Sequence, residues 1–110
     1  MTRKDVIDQV NALVSNTVDA KQKEMWLEEA DALIRKRIAE NYEGYEVKEL
    51  CVEPPFDMLY VHWLEAKIAY YCGEYDRYAN AYRLFNNTLT SFYEYHHRSH
   101  MPKSHGTLKF

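Results

Sequence analysis

The stretch from residue 75 to residue 96, YDRYANAYRLFNNTLTSFYEYH, decides the fold of this chain. Its apolar and aromatic residues recur at alternating steps of three and four, and His96 takes the next position in the series. This spacing draws one continuous stripe along an α-helix. Because a tyrosine ring favours burial while its hydroxyl needs a polar partner, the stripe indicates a surface that packs against another helix or another subunit. The stripe consists of Tyr75, Tyr78, Tyr82, Phe85, Leu89 and Phe92.

Length and composition favour a single helical domain. The chain has 110 residues, enough for one modest core, and ten of them are tyrosines. It has only three glycines and three prolines, fewer than the many turns of a sandwich or barrel require. The net charge of −3 gives no overall attraction to nucleic acid or anionic lipid. No apolar run is long enough to span a membrane, and Cys51 and Cys72 form no C-x-x-C pair, so we expect a soluble protein with reduced thiols.

Three further helices precede the aromatic one. Thr2 with Asp5 predicts a capped helix start, and Trp26, Ala30, Leu33 and Ile34 form the apolar stripe of the next helix. The third helix is apolar on nearly every side, as expected for the centre of a domain, and Gly73 marks its end. The sequence therefore predicts an all-α, four-helix bundle-like domain over residues 1–97 with a long aromatic C-terminal helix. Its helices are expected at about 3–14, 20–39, 56–72 and 74–97, followed by an extended tail over 98–110.

Two segments carry opposite charge. The connector between helices two and three, residues 40–53, has five glutamates against one lysine, and a short strand is possible near its end. Residues 95–110 contain Arg98, Lys103 and Lys109 without an acidic residue. Either segment alone is typical of a solvated loop or a frayed end, but together they favour head-to-tail contact between copies in a ring. Candidate acidic-loop residues are Glu43, Glu46, Glu49 and Glu53, and the candidate docking tail contains Arg98, Lys103, Leu108, Lys109 and Phe110.

The sequence offers little that points to catalysis. His96 and His100 lie one helical turn apart and could share a metal with a third ligand such as His105, but histidines at a helix end also favour the dipole without any metal. The basic run of residues 35–37 is a feature that DNA-binding proteins also have, but the net negative charge of the chain disfavours that function. There is no nucleophile motif, phosphate-binding loop or dinucleotide motif. We therefore expect no enzyme activity and no cofactor.

The C-terminal half resembles a known family. Its order of residues is similar to that of small proteins encoded beside capsid genes in tailed phages and prophages of Gram-positive bacteria. Those proteins are similar in layout to the all-α head–tail connectors, also called adaptors. The resemblance covers residues 54–102, whereas the first two helices agree only in layout. The residues that carry it are Pro54-Pro55, Asp57, Tyr60, Gly73-Glu74-Tyr75-Asp76-Arg77-Tyr78, Phe85-Asn86, Phe92, Tyr95, Arg98, His100 and Pro102.

This resemblance implies a structural virion protein that forms a homo-oligomeric ring between portal and tail. Its implied partners are the portal protein and a tail-side connector or tail terminator, with DNA passing nearby without specific recognition. The implied location is the head–tail interface of the virion, and the host cytoplasm during assembly. By position, the tail over 98–110 is the candidate for docking on a partner, and the acidic connector is the candidate for a loop that projects toward the channel or the tail-side partner. Alternatives are another phage morphogenesis factor, such as a tail completion protein or assembly chaperone, or a small His-dependent metal-binding or DNA-binding protein.

Overall fold

A computed structural model, which describes residues 1–41 and 50–100, shows four α-helices and no strand in that part of the chain. This confirms the all-α single domain with four helices. The last helix continues three residues beyond the predicted end at residue 97, so the expected tail boundary at residue 98 is wrong and Arg98 is helical. The helices are α1 (Arg3–Leu13), α2 (Ala20–Asn41), α3 (Met58–Tyr71) and α4 (Tyr75–His100).

Helix α1 begins at the predicted cap. The Thr2 hydroxyl accepts the Asp5 backbone N–H at 3.1 Å, and the Asp5 carboxylate accepts the Thr2 N–H at 3.0 Å, which satisfies donors that a helix start leaves without partners. Val6 and Val10 are fully buried on one face. Leu13, the last residue of α1, is 64% exposed, and the backbone becomes extended at Val14.

Helix α3 lies at the centre of the domain and packs against α1, α2 and α4. Because neighbours surround it, residues on nearly every side of it are buried, which explains its apolar composition. Its buried residues are Leu59, Tyr60, Val61, Leu64, Ala66, Ile68 and Ala69.

The α3–α4 turn reverses the chain and lays α4 antiparallel along α3. Gly73 has φ = 78°, the left-handed conformation that only glycine adopts readily. Its N–H donates to the Tyr70 carbonyl at 3.2 Å, and the Glu74 N–H donates to the Ala69 carbonyl at 2.8 Å. These two bonds form a Schellman motif, which satisfies carbonyls at the end of α3. The expectation that Gly73 ends the third helix is therefore correct.

Helix α2 buries Ala30 and Ile34 of the predicted apolar stripe but not Leu33. Leu27, Ala30, Ile34 and Ile38 are buried, whereas Leu33 is 65% exposed. Leu27, Ile34 and Ile38 share one face at helical spacing, and Leu33 lies beside that face rather than on it. The prediction for Leu33 was wrong because the sequence alone offered two overlapping stripes on this helix.

Parts of the predicted connector and tail lie outside the described residues. Glu43, Glu46 and Glu49 belong to residues 42–49, which the structure does not describe, and Glu53 is exposed. Lys103, Leu108, Lys109 and Phe110 also lie outside the described part. Leu50, Cys51 and Val52 are buried but form no strand.

Candidate protein-docking surface

The aromatic stripe of α4 divides into two parts. Its C-terminal part packs into the core, with Phe85 and Phe92 only 6% and 5% exposed and Leu89 packed against the core. Its N-terminal part does not, since Tyr75 is 63% and Tyr82 39% exposed. The sequence predicts one continuous packing stripe, and the structure divides it along the chain into an exposed part followed by a buried part.

The residues of α3 that face α4 account for this division. Phe85 meets the large Trp63 ring, with ring centroids 5.0 Å apart, and Phe92 meets Phe56 at 5.9 Å. Nearer the turn, α3 offers the smaller Ala66 and then Tyr70, which is 59% exposed. The first turns of α4 therefore have less intramolecular surface to pack against than its later turns.

Four tyrosines near the turn form a row, here called the tyrosine surface: Tyr70, Tyr75, Tyr78 and Tyr82. The Tyr70 ring meets Tyr75 and Tyr78 edge to face, with centroids 5.7 and 5.1 Å apart. Tyr78 stacks on Tyr82 at 5.7 Å and an interplanar angle of 13°, and Tyr82 stacks on the buried Phe85 at 6.1 Å. The exposed rings are therefore held in fixed positions by one another and, through Phe85, by the core.

Tyr70 was not among the residues predicted for this surface. It lies on α3, outside the heptad stripe, and it reaches Tyr75 and Tyr78 only because the turn at Gly73 folds α4 back. The signal in the sequence was its position three residues before Gly73, at the end of a helix whose partner begins with a tyrosine.

Two open grooves adjoin on the surface of α3. The first, about 330 Å³, lies between α3 and the tyrosines of α4. The second, about 530 Å³, lies on the α2 side and is lined by Glu29, Ala32, Leu33 and Lys36. Trp63 and Lys67 line both grooves, and the Lys67 ammonium lies 4.8 Å from the Trp63 ring centroid and 3.8 Å from Glu29. The groove beside α4 is therefore lined mainly by aromatic rings, and the groove beside α2 by both apolar and charged residues.

A buried polar network joins α2 and α3 to residues 51 and 52 and has a structural role. The Tyr60 hydroxyl donates to Asp31 Oδ1 at 2.6 Å and accepts the Val52 N–H at 3.0 Å, while the Cys51 N–H donates to the same Asp31 oxygen at 3.0 Å. Arg35 forms an ion pair with Asp31. Burial raises the pKa of Cys51 to about 12, and burial together with the bond to Asp31 raises the pKa of Tyr60. Both groups therefore stay protonated, and the network fixes residues 50–52 on α2 and α3.

The residues proposed for metal or DNA binding are placed separately. His96 is buried against Phe92, with ring centroids 5.7 Å apart, and His97 is exposed. Among the described residues no three His, Cys, Asp or Glu side chains lie close enough to hold a metal ion, and the His100 and His105 side chains lie outside them. In the basic run, Arg35 is bonded to Asp31 and Arg37 lies over the Tyr93 ring at 4.5 Å.

Comparisons with protein-family models, with curated proteins and with solved structures found no match to this chain. Within residues 1–41 and 50–100, no helix combines the length and apolar character that crossing a membrane requires. The tyrosine surface is therefore the feature of the molecule that best supports a function.

Proposed function

We propose that this chain is a structural assembly protein that binds other protein chains through its tyrosine surface. More specifically, we propose a subunit of a head–tail connector, forming a ring between portal and tail in a tailed phage or prophage. The observation that supports the assembly role is the ordered row of tyrosine rings at one end of the α3–α4 hairpin, in which Tyr70, Tyr75 and Tyr82 are exposed and Tyr78 is half-buried.

Such a row suits the central part of a protein interface. Tyrosine is enriched in interfaces because it adds a large contact area with few rotatable bonds. Here the stacking of Tyr78 on Tyr82, and of Tyr82 on Phe85, already restricts those bonds before a partner arrives. Less side-chain entropy is then lost on binding, so more of the contact free energy remains for affinity.

The resemblance of residues 54–102 to head–tail connectors supports the finer part of the proposal. That segment includes the whole α3–α4 hairpin, and two of the residues that carry the resemblance, Tyr75 and Tyr78, belong to the tyrosine surface. Contact between copies through an exposed end of a helical hairpin would leave the remaining surface of each subunit for the portal and the tail-side partner.

The test is to produce the full chain alone and together with the portal protein encoded in the same genome, and to measure the masses of the assemblies by native mass spectrometry. We expect a closed ring or a portal complex of several copies. Replacing Tyr78 and Tyr82 by serine is expected to abolish it, because the variant loses two stacked rings from the contact surface.

Tyr71→Ser is the matched control, since Tyr71 is 69% exposed and packs on Trp26 instead of the tyrosine surface. It should assemble like the unchanged chain. A chain that remains monomeric with and without the portal would contradict the connector proposal. A tyrosine double variant that assembles normally would contradict the role of the tyrosine surface.

A further inference from the structure

The outward face of α2 carries charges in a symmetric order. Along the helix, exposed residues come in consecutive pairs at the spacing of one helical face, and the three pairs that follow Glu24-Met25 are ordered by charge. Of these three, the first pair is acidic, the middle pair is apolar, and the last pair is basic. These pairs are Glu28-Glu29, Ala32-Leu33 and Lys36-Arg37.

This order is complementary to itself when the helix is reversed. If two copies of α2 run antiparallel about a two-fold axis between positions 32 and 33, Glu29 of each copy lies opposite Lys36 of the other. The same operation brings Glu28 opposite Arg37. About 27 Å of each helix would overlap, over residues 24–41. An isologous contact requires such self-complementarity, which a random arrangement of surface charges does not provide.

The middle of this face is apolar and open. Leu33 is 65% exposed although it is a large aliphatic residue, and Ala32 beside it is small enough to allow two helices to approach closely. Both residues line the groove of about 530 Å³ that Trp63 also lines. The Leu33 side chain of a second copy can enter this groove and be covered by apolar surface.

Three of the four charged residues remain accessible to a partner, whereas Arg37 already lies over the Tyr93 ring at 4.5 Å. The Glu29 side chain is 59% exposed although Lys67 lies 3.8 Å away, and the Glu28 side chain is 60% exposed although it is bonded to Arg3. Lys36 is exposed and forms no ion pair with any described residue. We propose that a second copy of this chain docks here, forming a two-fold dimer through antiparallel α2 helices.

This inference goes beyond the proposed function. A two-fold contact closes on itself and cannot alone build a cyclic ring, so it is a second interface, distinct from the tyrosine surface. It would join two copies in a dimer, or two rings face to face. Either interface can be absent without affecting the other.

Charge exchange tests the dimer. Sedimentation equilibrium is measured in the Tyr78→Ser/Tyr82→Ser background, so that assembly through the tyrosine surface does not contribute. We expect the starting protein to dimerise reversibly, and Glu29→Lys or Lys36→Glu each to raise the dissociation constant about tenfold to a hundredfold by placing like charges opposite each other twice. Mixing the two single variants, or combining both changes in one chain, should restore dimerisation.

Lys21→Glu is the matched control, because Lys21 is exposed on the same helix but lies outside the overlap. It should leave the dissociation constant unchanged, and circular dichroism should show equal helicity in all variants. A starting protein that stays monomeric at high concentration would overturn the proposal. So would single variants that dimerise normally, or a mixture of the two that does not recover.

Discussion

Tyr60 of α3 joins two other parts of the domain through its hydroxyl group. It is fully buried in α3, yet its hydroxyl bonds both to α2, through Asp31, and to the backbone that leads into α3, through Val52. A buried polar group is costly unless it is bonded, and here each of these groups supplies the partner that another needs. The network therefore ties residues 50–52 to the two helices on either side of the connector.

Replacing Tyr60 by phenylalanine should destabilise the protein by about 1–3 kcal/mol, because the buried Val52 N–H then has no acceptor in this network. The measurement is urea unfolding, in which the midpoint should fall while the slope stays the same. Tyr71→Phe removes a hydroxyl from an exposed ring and serves as control, with an expected change within about 0.5 kcal/mol. Equal stabilities for the two variants would contradict the role given to the network.

The two cysteines should differ sharply in reactivity. Cys51 is 3% exposed and burial raises its pKa to about 12, so at pH 8 about one thiol in ten thousand would be ionised. Cys72 is exposed. Iodoacetamide should therefore label Cys72 in the folded protein and Cys51 only after denaturant is added, as read by peptide mass spectrometry. Labelling of both at similar rates under native conditions would show that Cys51 is not enclosed.

At the scale of the helices, the turn between α3 and α4 depends on one conformation. Gly73→Ala should cost about 1–2 kcal/mol, because alanine is strained at φ = 78° even though a Cβ atom would meet nothing within 4 Å. Gly73→Asn should cost less, since asparagine tolerates the left-handed region better. Thermal or urea unfolding gives the order of the three proteins. An alanine variant as stable as the glycine protein would mean that the turn can adopt another conformation.

Local signals in the sequence were enough to place the start of α1 and the end of α3. Thr2 with Asp5, and Gly73 at the end of α3, act within a few residues, so the sequence alone predicts them. Which side of a helix faces inward depends on its neighbours. Leu33 fits an apolar stripe as well as Leu27 does, and only the packing of α2 on α3 decides between them. Likewise, a heptad stripe on α4 cannot indicate where its partner helix becomes too small to cover it.

At the scale of the whole molecule, α4 extends well beyond its partner. It has 26 residues, about 39 Å, against 14 residues and about 21 Å for α3. The molecule is accordingly elongated, with extents of 53 × 27 × 20 Å and a radius of gyration of 15.7 Å, compared with about 13 Å for a compact domain of this size. Such a shape leaves helical surface for other chains to cover.

Amide hydrogen exchange should follow this arrangement. We expect the slowest exchange in α3 from Leu59 to Ile68, because α3 packs against every other helix, and faster exchange over residues 75–80 at the exposed start of α4. The measurement belongs at low protein concentration, where copies do not protect one another. Equal protection of both regions under those conditions would mean that α4 is held by contacts beyond those with α3.

The sequence predicts the presence of a docking surface better than its extent. The tyrosines of α4 are visible as a pattern, but the contribution of Tyr70 depends on the turn that brings α3 beside them. The order of charges along α2 can be seen in the sequence. It indicates a contact surface only because Leu33 and its neighbours are exposed in the structure. The sequence therefore indicates candidate contact surfaces only once the inward-facing residues of each helix are known.

The contact between the two tryptophans gives the protein a built-in optical reporter. Trp63 on α3 donates its indole N–H to the backbone carbonyl of Trp26 on α2 at 2.8 Å, and the Trp26 ring meets Tyr71 of α3 with centroids 6.0 Å apart, so both indoles lie at the α2–α3 junction. Separation of these helices would expose both rings to water and shift their fluorescence emission to longer wavelength. Since the docking surfaces proposed above adjoin Trp63, the same emission would also follow the arrival of a partner without any added label.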